Sequence, residues 1–415
     1  MLLLTATHVL VAYTLLGVAA LALLLFGAAI AATWRHTRRT PKHTESVLPP
    51  VSMLKPLKGL EDELEQNLES FFLQKYPSPL EIVFAVTDRL DPALAVAKKV
   101  AARFPRVPVH FVLSDDGFGL NHTVSKLAGA LAAARYDVVH QSDANVRVPN
   151  DYLARIVSEF VAEDASVLTS VVIGVGEKSL GAALENIQLS AFIGPAMCLA
   201  LEAAKVTCVC GKSMLLRRSE LDRDLGGLAS VRDVLCEDFV MGERFKALGR
   251  KVVLSPTPVW NVNIDCGPDR FLMRHSRWLK MRITLHIPGF IADLGSNPVA
   301  LSALAMVTSA FDPFVCAVAG AFIVLKAFAD RMAIRLTREP VALRYAWLSV
   351  VKDLMLLPLW VNAIFSRTVV WRGRKLRFGK NTQLIPLRPT EAELARADLV
   401  ELEAELEPVD IRRAA

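Results

Sequence analysis

The sequence has 415 residues, of which 53% are hydrophobic, and a formal net charge of +6. This length gives room for one sizeable domain with additional elements, and the apolar content predicts segments that face lipid. The six cysteines form no Cys-x-x-Cys pair and join no histidines at zinc-ligand spacing, and no nucleic-acid reader motif is present, so composition argues against structural zinc and against a nucleic-acid partner.

The N-terminal stretch predicts a retained membrane anchor over residues 1–36. Residues 5–34 are almost wholly apolar, and no acidic, lysine or arginine side chain precedes Arg35. This exceeds the roughly 20 residues that cross a bilayer. A signal peptide would carry positive charge before a shorter apolar core, whereas here the charge follows it. By the positive-inside rule, the basic cluster from Arg35 to His43 places the following residues in the cytoplasm.

Residues 37–288 read as a catalytic domain in which strands and helices alternate. Buried-strand runs and helical spacings follow one another (strands 51–54, 81–86, 109–113 and 136–141; helices 62–73, 93–104 and 123–134). This rhythm predicts an α/β fold with a mostly parallel central sheet. Ligands of such sheets bind beyond the carboxyl ends of the strands, where Asp88, Asp91 and Asp143 fall.

Apolar character returns after Pro288, which predicts a membrane region over residues 289–372 with two or three helices. Residues 298–328 form either one tilted helix or two short helices broken at Asp312-Pro313. Residues 341–365 form a further run, in which the adjacent pair Lys352 and Asp353 is a candidate for an acceptor passage, because ionisable residues at membrane depth usually face protein or a cavity. Residues 373–415 are predicted to be an acidic tail, with a capping box at Thr390 and Glu393.

Three acids at strand ends are candidates for donor binding. Asp143, in Ser142-Asp143-Ala144-Asn145, could hold Mg²⁺ or Mn²⁺ bridging a donor diphosphate; the alternative is an Asx turn. Asp88 and Asp91 could hydrogen-bond a uracil or ribose. The alternative for these two is an ordinary helix start, since Pro92 suits the first helical position.

Two later segments carry the groups that a sugar transfer needs. Glu237-Asp238 could supply the general base that takes a proton from an acceptor hydroxyl, although acids also favour helix N-termini for electrostatic reasons. Arg274 and Arg277 lie on one helical face beside Trp278, and guanidinium groups suit diphosphate oxygens. The alternative for the arginines is a basic helix next to the membrane.

In this order, the segments resemble the ceramide glucosyltransferase family, glycosyltransferase family 21. The resemblance covers residues 5–372 and is carried by the following segments: Lys55-Pro56-Leu57-Lys58-Gly59, residues 88–92, Gly119-Leu120-Asn121, Ser142-Asp143, Gly211-Lys212-Ser213-Met214, Glu237-Asp238-Phe239 and Arg274-x-x-Arg277-Trp278.

The resemblance implies a bacterial member with a GT-A nucleotide-sugar fold, in the inner membrane, with its catalytic domain facing the cytoplasm. It implies inverting transfer from a UDP-sugar, UDP-glucose first among them, to the primary hydroxyl of a membrane lipid, ceramide first among these. Asp91, with Asp88, looks like the nucleotide-binding aspartate, and Lys55 belongs to the donor-binding group. Asp143 looks like the metal-associated aspartate. Asp238 looks like the base, and Arg274, Arg277 and Trp278 like the family's motif that closes on the donor phosphates and the acceptor.

The sequence departs from the family at two places. Thr123 stands where the family usually has a lysine, and the nearest lysine is Lys126; Gly194-Pro195 stands where the animal enzymes have His-Pro. Four alternatives therefore stay open: another UDP-sugar (GlcNAc, galactose or glucuronate), a diacylglycerol or phospholipid acceptor as in hopanoid-associated relatives, a processive polysaccharide synthase, and a non-catalytic membrane adaptor.

Overall fold

The computed structural model describes residues 6–339, 341–371 and 374–387. Its first element is a 33-residue helix, α1 (Ala6–Arg38). At 1.5 Å per residue α1 is about 50 Å long. It is apolar enough over Thr7–Arg38 to cross a membrane. The predicted N-terminal membrane helix is therefore confirmed.

An eight-stranded sheet forms the centre of the α/β domain. Its strands are β1 Val51–Pro56, β2 Leu80–Val86, β3 Val109–Leu113, β4 Val138–Gln141, β5 Val146–Arg147, β6 Val167–Val175, β7 Met214–Arg217 and β8 Val252–Val262. Their order across the sheet is β3-β2-β1-β4-β7-β6-β8-β5. The pairs β1–β2, β2–β3, β1–β4 and β6–β8 are parallel, whereas β7 and β5 run antiparallel to their neighbours. The predicted α/β fold with a mostly parallel central sheet is confirmed.

Helices cover both faces of this sheet. They are α2 Leu64–Phe72, α3 Pro92–Ala102, α4 His122–Ala133, α5 Tyr152–Ala162, α6 Leu180–Ile187, α7 Gly194–Ala204, α8 Arg218–Leu225, α9 Glu237–Ala247 and α10 Pro268–Leu285. Strands β1, β2 and β4 are almost wholly buried, as is typical of parallel strands covered on both faces, whereas the edge strand β3 is partly exposed. The strands and helices predicted between residues 51 and 141 all form, with ends within a few residues of the expected ones.

The sheet topology collects distant segments at one edge. Because β1, β2 and β4 are parallel neighbours, residues 55–59, 88–91 and 142–145 follow them at the same edge. Strand β7 is antiparallel to β4, with Met214 opposite Gln141, so the turn before β7 (residues 208–213) arrives at that edge as well.

The C-terminal apolar segments form four helices, α11 Ile287–Gly295, α12 Pro298–Thr308, α13 Pro313–Arg335 and α14 Leu348–Phe365. The chain breaks at Asp312-Pro313, as in the second of the two predicted arrangements, but α13 has 23 residues and is not a short helix. The Asp312 carboxylate caps α13 by accepting from the backbone N–H groups of Phe314 and Val315. A segment missed in the sequence, Leu180–Ala204, is also long and apolar enough to cross a membrane, as are α13 and Leu343–Phe365.

Helix α14 contacts the α/β domain at both ends. Just before it, the Tyr345 hydroxyl donates to the carbonyl of Lys178 (2.8 Å). Just after it, Nζ of Lys280 in α10 donates to the carbonyl of Thr368 (2.9 Å). The helix therefore runs along α10 rather than away from the domain.

A small three-stranded sheet follows, with strands β9 Thr368–Trp371, β10 Arg374–Phe378 and β11 Leu384–Pro386. The loop between β10 and β11 packs against residues 233–236, directly before α9. The predicted capping box at Thr390 and Glu393 lies outside the described residues.

Candidate active site

Lys55 is buried beneath the edge where the strands end. Its ammonium donates to the Ser142 hydroxyl (3.2 Å) and to the Asp143 carbonyl (3.0 Å), and it lies 3.2 Å from the centre of the Phe71 ring. Burial lowers the pKa of Lys55 well below its ordinary value, and the nearby Asp143 carboxylate opposes this only in part. Lys55 thus ties the end of β1 to the turn that presents Asp143.

The Asp143 side chain faces Lys212, a residue that the sequence motif contained but that was not singled out. The Asp143 carboxylate lies 2.7 Å from Nζ of Lys212, which also donates to Oδ1 of Asn145 (2.8 Å). Burial raises the pKa of Asp143, but Lys212, with Lys55 and Lys126, outweighs it and leaves the pKa below its ordinary value. Asp143 is therefore an ionised carboxylate held by a lysine.

Lys126, the lysine nearest to Thr123 in the sequence, reaches the site. Its buried ammonium donates to the carbonyl of Leu57 (3.0 Å), and its charge acts on Asp143. The departure at Thr123 thus leaves a lysine at the site, one helical turn later.

Asp91 joins two of the predicted segments. Its carboxylate accepts from the backbone N–H of Gly59 (2.9 and 3.1 Å) and from that of Ala93 (2.9 Å), so it caps α3 while anchoring the loop after β1. Gly59 has a φ of +62°, a conformation that favours glycine. Asp88 is exposed and accepts from the N–H of Leu90 (2.8 Å). Both acids lie at the predicted edge.

Glu237, which is buried, and Asp238, which is half-buried, form a carboxylate pair at the start of α9. Asp238 accepts from the backbone N–H groups of Gly211 (2.6 Å) and Phe239 (2.8 Å), and Glu237 accepts from the Asn121 side-chain amide (2.9 Å). A Cβ at Gly211 would lie 3.2 Å from the Asp238 carboxylate, so glycine permits this close approach.

Both carboxyl groups bind protons more tightly than ordinary acids. Burial, followed by the neighbouring Asp238, raises the pKa of Glu237 well above its ordinary value. Burial and the charge of Asp143 raise the pKa of Asp238, while the backbone N–H groups of Gly211 and Phe239 oppose the rise. A carboxylate with a raised pKa is a stronger base, which suits proton abstraction from a hydroxyl.

The two arginines of α10 have different surroundings. Arg274 forms an ion pair with buried Glu185 (2.9 Å) and lies over the Trp278 ring, 4.6 Å from its centre. Glu185 also faces Nε2 of His275 (3.2 Å). By contrast, Arg277 makes no hydrogen bond or ion pair with any residue that the structure describes. Burial and the charge of Arg274 lower the pKa of Arg277 to about 10. Arg277 is thus the guanidinium with free donors.

Glu185 was missed in the sequence, although a signal existed. It is the one charged residue between Leu180 and Leu201, a mostly apolar segment. A charge in such a segment usually has a partner or a function. Here the partner is Arg274.

Helix α10 packs against the core of the α/β domain. The Trp278 indole and Cys210, which directly precedes Gly211, pack against the same core cluster as Ala144, the residue after Asp143. The charge of Asp143 acts on Asp238, so the Glu237-Asp238 segment lies near the strand-end acids, while α10 reaches the core of the same domain.

The small C-terminal sheet supports the approach to Asp238. The Thr382 hydroxyl accepts from the N–H of Cys236 (3.2 Å), and the Thr382 carbonyl accepts from that of Leu235 (3.1 Å). Thr382 is fully buried and has a φ of +59°, which is unusual for a β-branched residue. Sequence reasoning did not foresee this contact.

A cavity of about 630 Å³, part of it open to solvent, lies between α10 and α14. Apolar side chains dominate its walls, and five ionisable residues border it. The lining residues are Gln188, Phe192, Ile193, His275, Trp278, Leu279, Arg282, Asp293, Leu294, Ser296, Asn297, Lys326, Asp353, Leu356, Leu357 and Trp360.

The described residues offer few protein ligands for a divalent cation. Among the described residues, no group of three His, Cys, Asp or Glu side chains could hold a metal by itself. Mg²⁺, however, is commonly bound through one or two carboxylates with the remaining ligands from substrate phosphates and water. The partly exposed Asp143 carboxylate fits that role.

Residues 14–384 match the family model described as Glycosyl transferase family 21. The chain belongs to glycosyltransferase family 21. It is 24% identical over 369 residues to ceramide glucosyltransferase 1 of Caenorhabditis elegans, covering 82% of this chain and 76% of that protein. It is 30% identical over 209 residues to the ceramide glucosyltransferase of Komagataella phaffii, covering 45% of this chain and 40% of that protein.

Among solved structures, the chain is similar to a mannosyltransferase from Pyrobaculum calidifontis in complex with GDP-Man and Mn²⁺. That comparison has a TM-score of 0.49 at 16% identity, and covers 85% of this chain and 99% of the other. As a family 21 member, the chain is a glycosyltransferase, and its helices are typical of a membrane protein. The resemblance stated from the sequence motifs is confirmed.

Proposed function

We propose that this family 21 enzyme transfers a sugar from a UDP-sugar, UDP-glucose first among them, to the primary hydroxyl of a membrane lipid, ceramide first among these. The observation that carries the proposal is the half-buried Asp238 carboxylate, which has a raised pKa and lies at the edge where Asp143 is presented. The relatives named ceramide glucosyltransferase support the choice of sugar and acceptor.

The donor occupies the edge formed by the strand ends. Asp88 and Asp91 lie at the loop where the nucleotide binds, and the diphosphate lies between Asp143 and α10. Lys55 holds the Asp143 turn in place from below. Asp143 would hold a divalent cation, Mg²⁺ or Mn²⁺, which would supply compensation for the negative charge of the departing diphosphate.

The transfer step is a single displacement. The ionised Asp238 takes the proton of the lipid hydroxyl, and the hydroxyl oxygen forms a bond to the anomeric carbon. The bond between that carbon and the phosphate oxygen breaks, and its electron pair leaves with UDP. Because the attack comes from the side opposite the diphosphate, the anomeric configuration inverts.

The α10 arginines divide the work of holding the leaving group. Arg274 is neutralised by Glu185 and stacks on Trp278, so it fixes the helix and the indole. Arg277 has free donors and meets the diphosphate oxygens, for which a guanidinium fork is well suited. The buried surroundings of Arg277 strengthen this attraction.

The enzyme acts at the cytoplasmic face of the membrane, which in a bacterium is the inner membrane. The basic cluster after α1 supports this orientation by the positive-inside rule. The apolar cavity between α10 and α14 gives the lipid a path to the site without leaving the membrane surface.

The deciding experiment is a product assay with membranes that contain the enzyme. Labelled UDP-glucose, UDP-galactose, UDP-glucuronate and UDP-GlcNAc are each supplied with ceramide or diacylglycerol, and the lipid product is identified. We expect glucosylceramide from the wild type and at least a 100-fold lower rate from Asp238→Asn, consistent with loss of a general base. If no UDP-sugar is consumed with either lipid, the proposal fails; a rate retained by Asp238→Asn overturns the assignment of the base.

A further inference from the structure

Four charged side chains meet between α13 and α14. Lys326 lies 2.8 Å from Asp330 and 2.9 Å from Asp353, and Lys352 lies 2.6 Å from Asp353 and 3.6 Å from Asp330. The Ser349 hydroxyl also donates to Asp330. All four charged residues are at least 96% buried. Two positive and two negative charges leave the cluster neutral.

This cluster is not required by the transfer chemistry. Charged residues at membrane depth are costly, and they usually face a cavity or mark a ligand pathway. The sequence indicated Lys352 and Asp353 as a candidate for an acceptor passage. The structure refines that hypothesis, because Lys326 and Asp353 border the cavity between α10 and α14, whereas Lys352 and Asp330 do not.

The other ionisable residues that border the cavity are also paired. Arg282 lies 2.9 Å from Asp293, and His275 lies 3.2 Å from Glu185. With Lys326 paired to Asp353, no border residue has a charge without a partner. A lipid whose headgroup carries a phosphate would therefore enter without a counter-charge, and the cavity suits an uncharged polar group.

Asp353 is the acidic member of the cluster that borders the cavity. A carboxylate has about four acceptor positions. Asp353 uses one oxygen for Lys326 and the other for Lys352, which leaves positions free on both oxygens. The Lys326 ammonium has two carboxylate partners and faces the Phe26 ring, 4.4 Å from its centre. A ligand that meets Asp353 must therefore donate a hydrogen bond.

We propose that Asp353 selects the acceptor by accepting a hydrogen bond from an amide N–H that lies next to the reacting hydroxyl of an uncharged lipid. Lys326 and Lys352 each donate to one of its oxygens and so fix the direction of the carboxylate. This inference rests on the proposed function. It assigns the choice between an N-acyl lipid and diacylglycerol to one residue, because diacylglycerol offers only ester oxygens beside its hydroxyl.

The test compares acceptors within one enzyme preparation, so that the amount of folded protein cancels. For the wild type we expect kcat/KM to be at least tenfold higher for ceramide than for diacylglycerol. We also expect it to be at least tenfold higher for ceramide than for N-methylceramide, which lacks only the N–H. Phosphatidylglycerol, which has a primary hydroxyl and a charged phosphate, should give no detectable product.

The matched variants are Asp353→Asn and Asp330→Asn, which each remove one carboxylate charge from the same cluster. Asp353→Asn should bring both kcat/KM ratios, ceramide to diacylglycerol and ceramide to N-methylceramide, close to one. Asp330→Asn should leave these ratios at the wild-type values. Equal use of ceramide and N-methylceramide by the wild type overturns the inference even if neither variant folds. Equal effects of the two variants on the ratios also overturn it. Both outcomes leave the proposed function standing, which fails only if no UDP-sugar is consumed with any lipid.

Discussion

Thr382 offers a strong test of how the C-terminal sheet supports the catalytic segment. Its hydroxyl accepts from the N–H of Cys236, the residue that precedes α9, and Asp238 lies two residues further on. The change Thr382→Val keeps the size and β-branching of the side chain and removes only the acceptor. Since valine meets the same positive φ as threonine, the backbone strain is unchanged.

The expected magnitude follows from the hydrogen bond that is lost. A buried N–H without an acceptor costs about 1–3 kcal/mol, and here that N–H belongs to Cys236. If the segment before α9 relaxes away to meet another acceptor, the active position of Asp238 becomes less populated by the same free energy. At 1.36 kcal/mol per factor of ten, this gives a fall in kcat of about 5- to 150-fold.

The assay is steady-state transfer to lipid with saturating donor, together with the melting temperature of the purified enzyme. Thr382→Ser keeps the hydroxyl and should retain a rate close to that of the wild type. Thr308→Val removes a hydroxyl that only donates to carbonyls within its own helix, and it should also leave kcat unchanged. A wild-type kcat for Thr382→Val, or equal losses in the valine and serine variants, would refute the reasoning.

Three further predictions concern the site itself. Burial and the charge of Asp143 raise the pKa of Asp238, and this base acts only when it is ionised. The kcat should therefore rise with pH through a pKa above the ordinary value for a carboxyl group. A plot of kcat against pH that is already flat at that ordinary value contradicts this prediction. Stability runs the opposite way, since the raised pKa values of Glu237 and Asp238 contribute stability below the ordinary carboxyl range that is lost as pH rises through the folded-state values. Arg277→Gln should raise the donor KM by about 10- to 100-fold with little change in melting temperature, as expected for the loss of about 1.5–3 kcal/mol of charged hydrogen bonding. Arg274→Gln should instead reduce the free energy of unfolding by about 3–5 kcal/mol, because buried Glu185 loses its arginine partner and keeps only His275; an equal loss of stability in the two variants would show that the division of roles is wrong. Removal of divalent cations by a chelator should lower the rate of sugar transfer, and added Mg²⁺ or Mn²⁺ should restore it. In Asp143→Asn, the residual rate should not depend on either ion. A residual rate that still rises with added ion would exclude Asp143 as the cation ligand.

Much of the fold followed from local patterns. Apolar runs of strand length alternate with helical spacings between residues 51 and 141, and the strands and helices form there as expected. Asp91 and Asn121 cap their helices through their own side chains, which is a short-range effect. The position of the acids at strand ends could be predicted because parallel strands place their carboxyl ends at one edge.

The pairings within the site could not be predicted in this way. Glu185 and His275 are 90 residues apart, and Cys236 and Thr382 are 146 apart. Lys212 reaches Asp143 because β7 inserts antiparallel beside β4, which local periodicity does not encode. The division between Arg274 and Arg277 depends on the same kind of long-range contact.

The sequence by itself thus determined the membrane anchor, the α/β order and the chemical types present at the site, since these depend on burial and hydrogen bonding among near neighbours. Only the tertiary structure decided which charges neutralise one another. Pairs such as Arg274 with Glu185, and Lys326 with Asp353, arise where separate helices pack. The physical reason is that a charge in a buried place requires a partner, while the chain can bring that partner from any segment that reaches it.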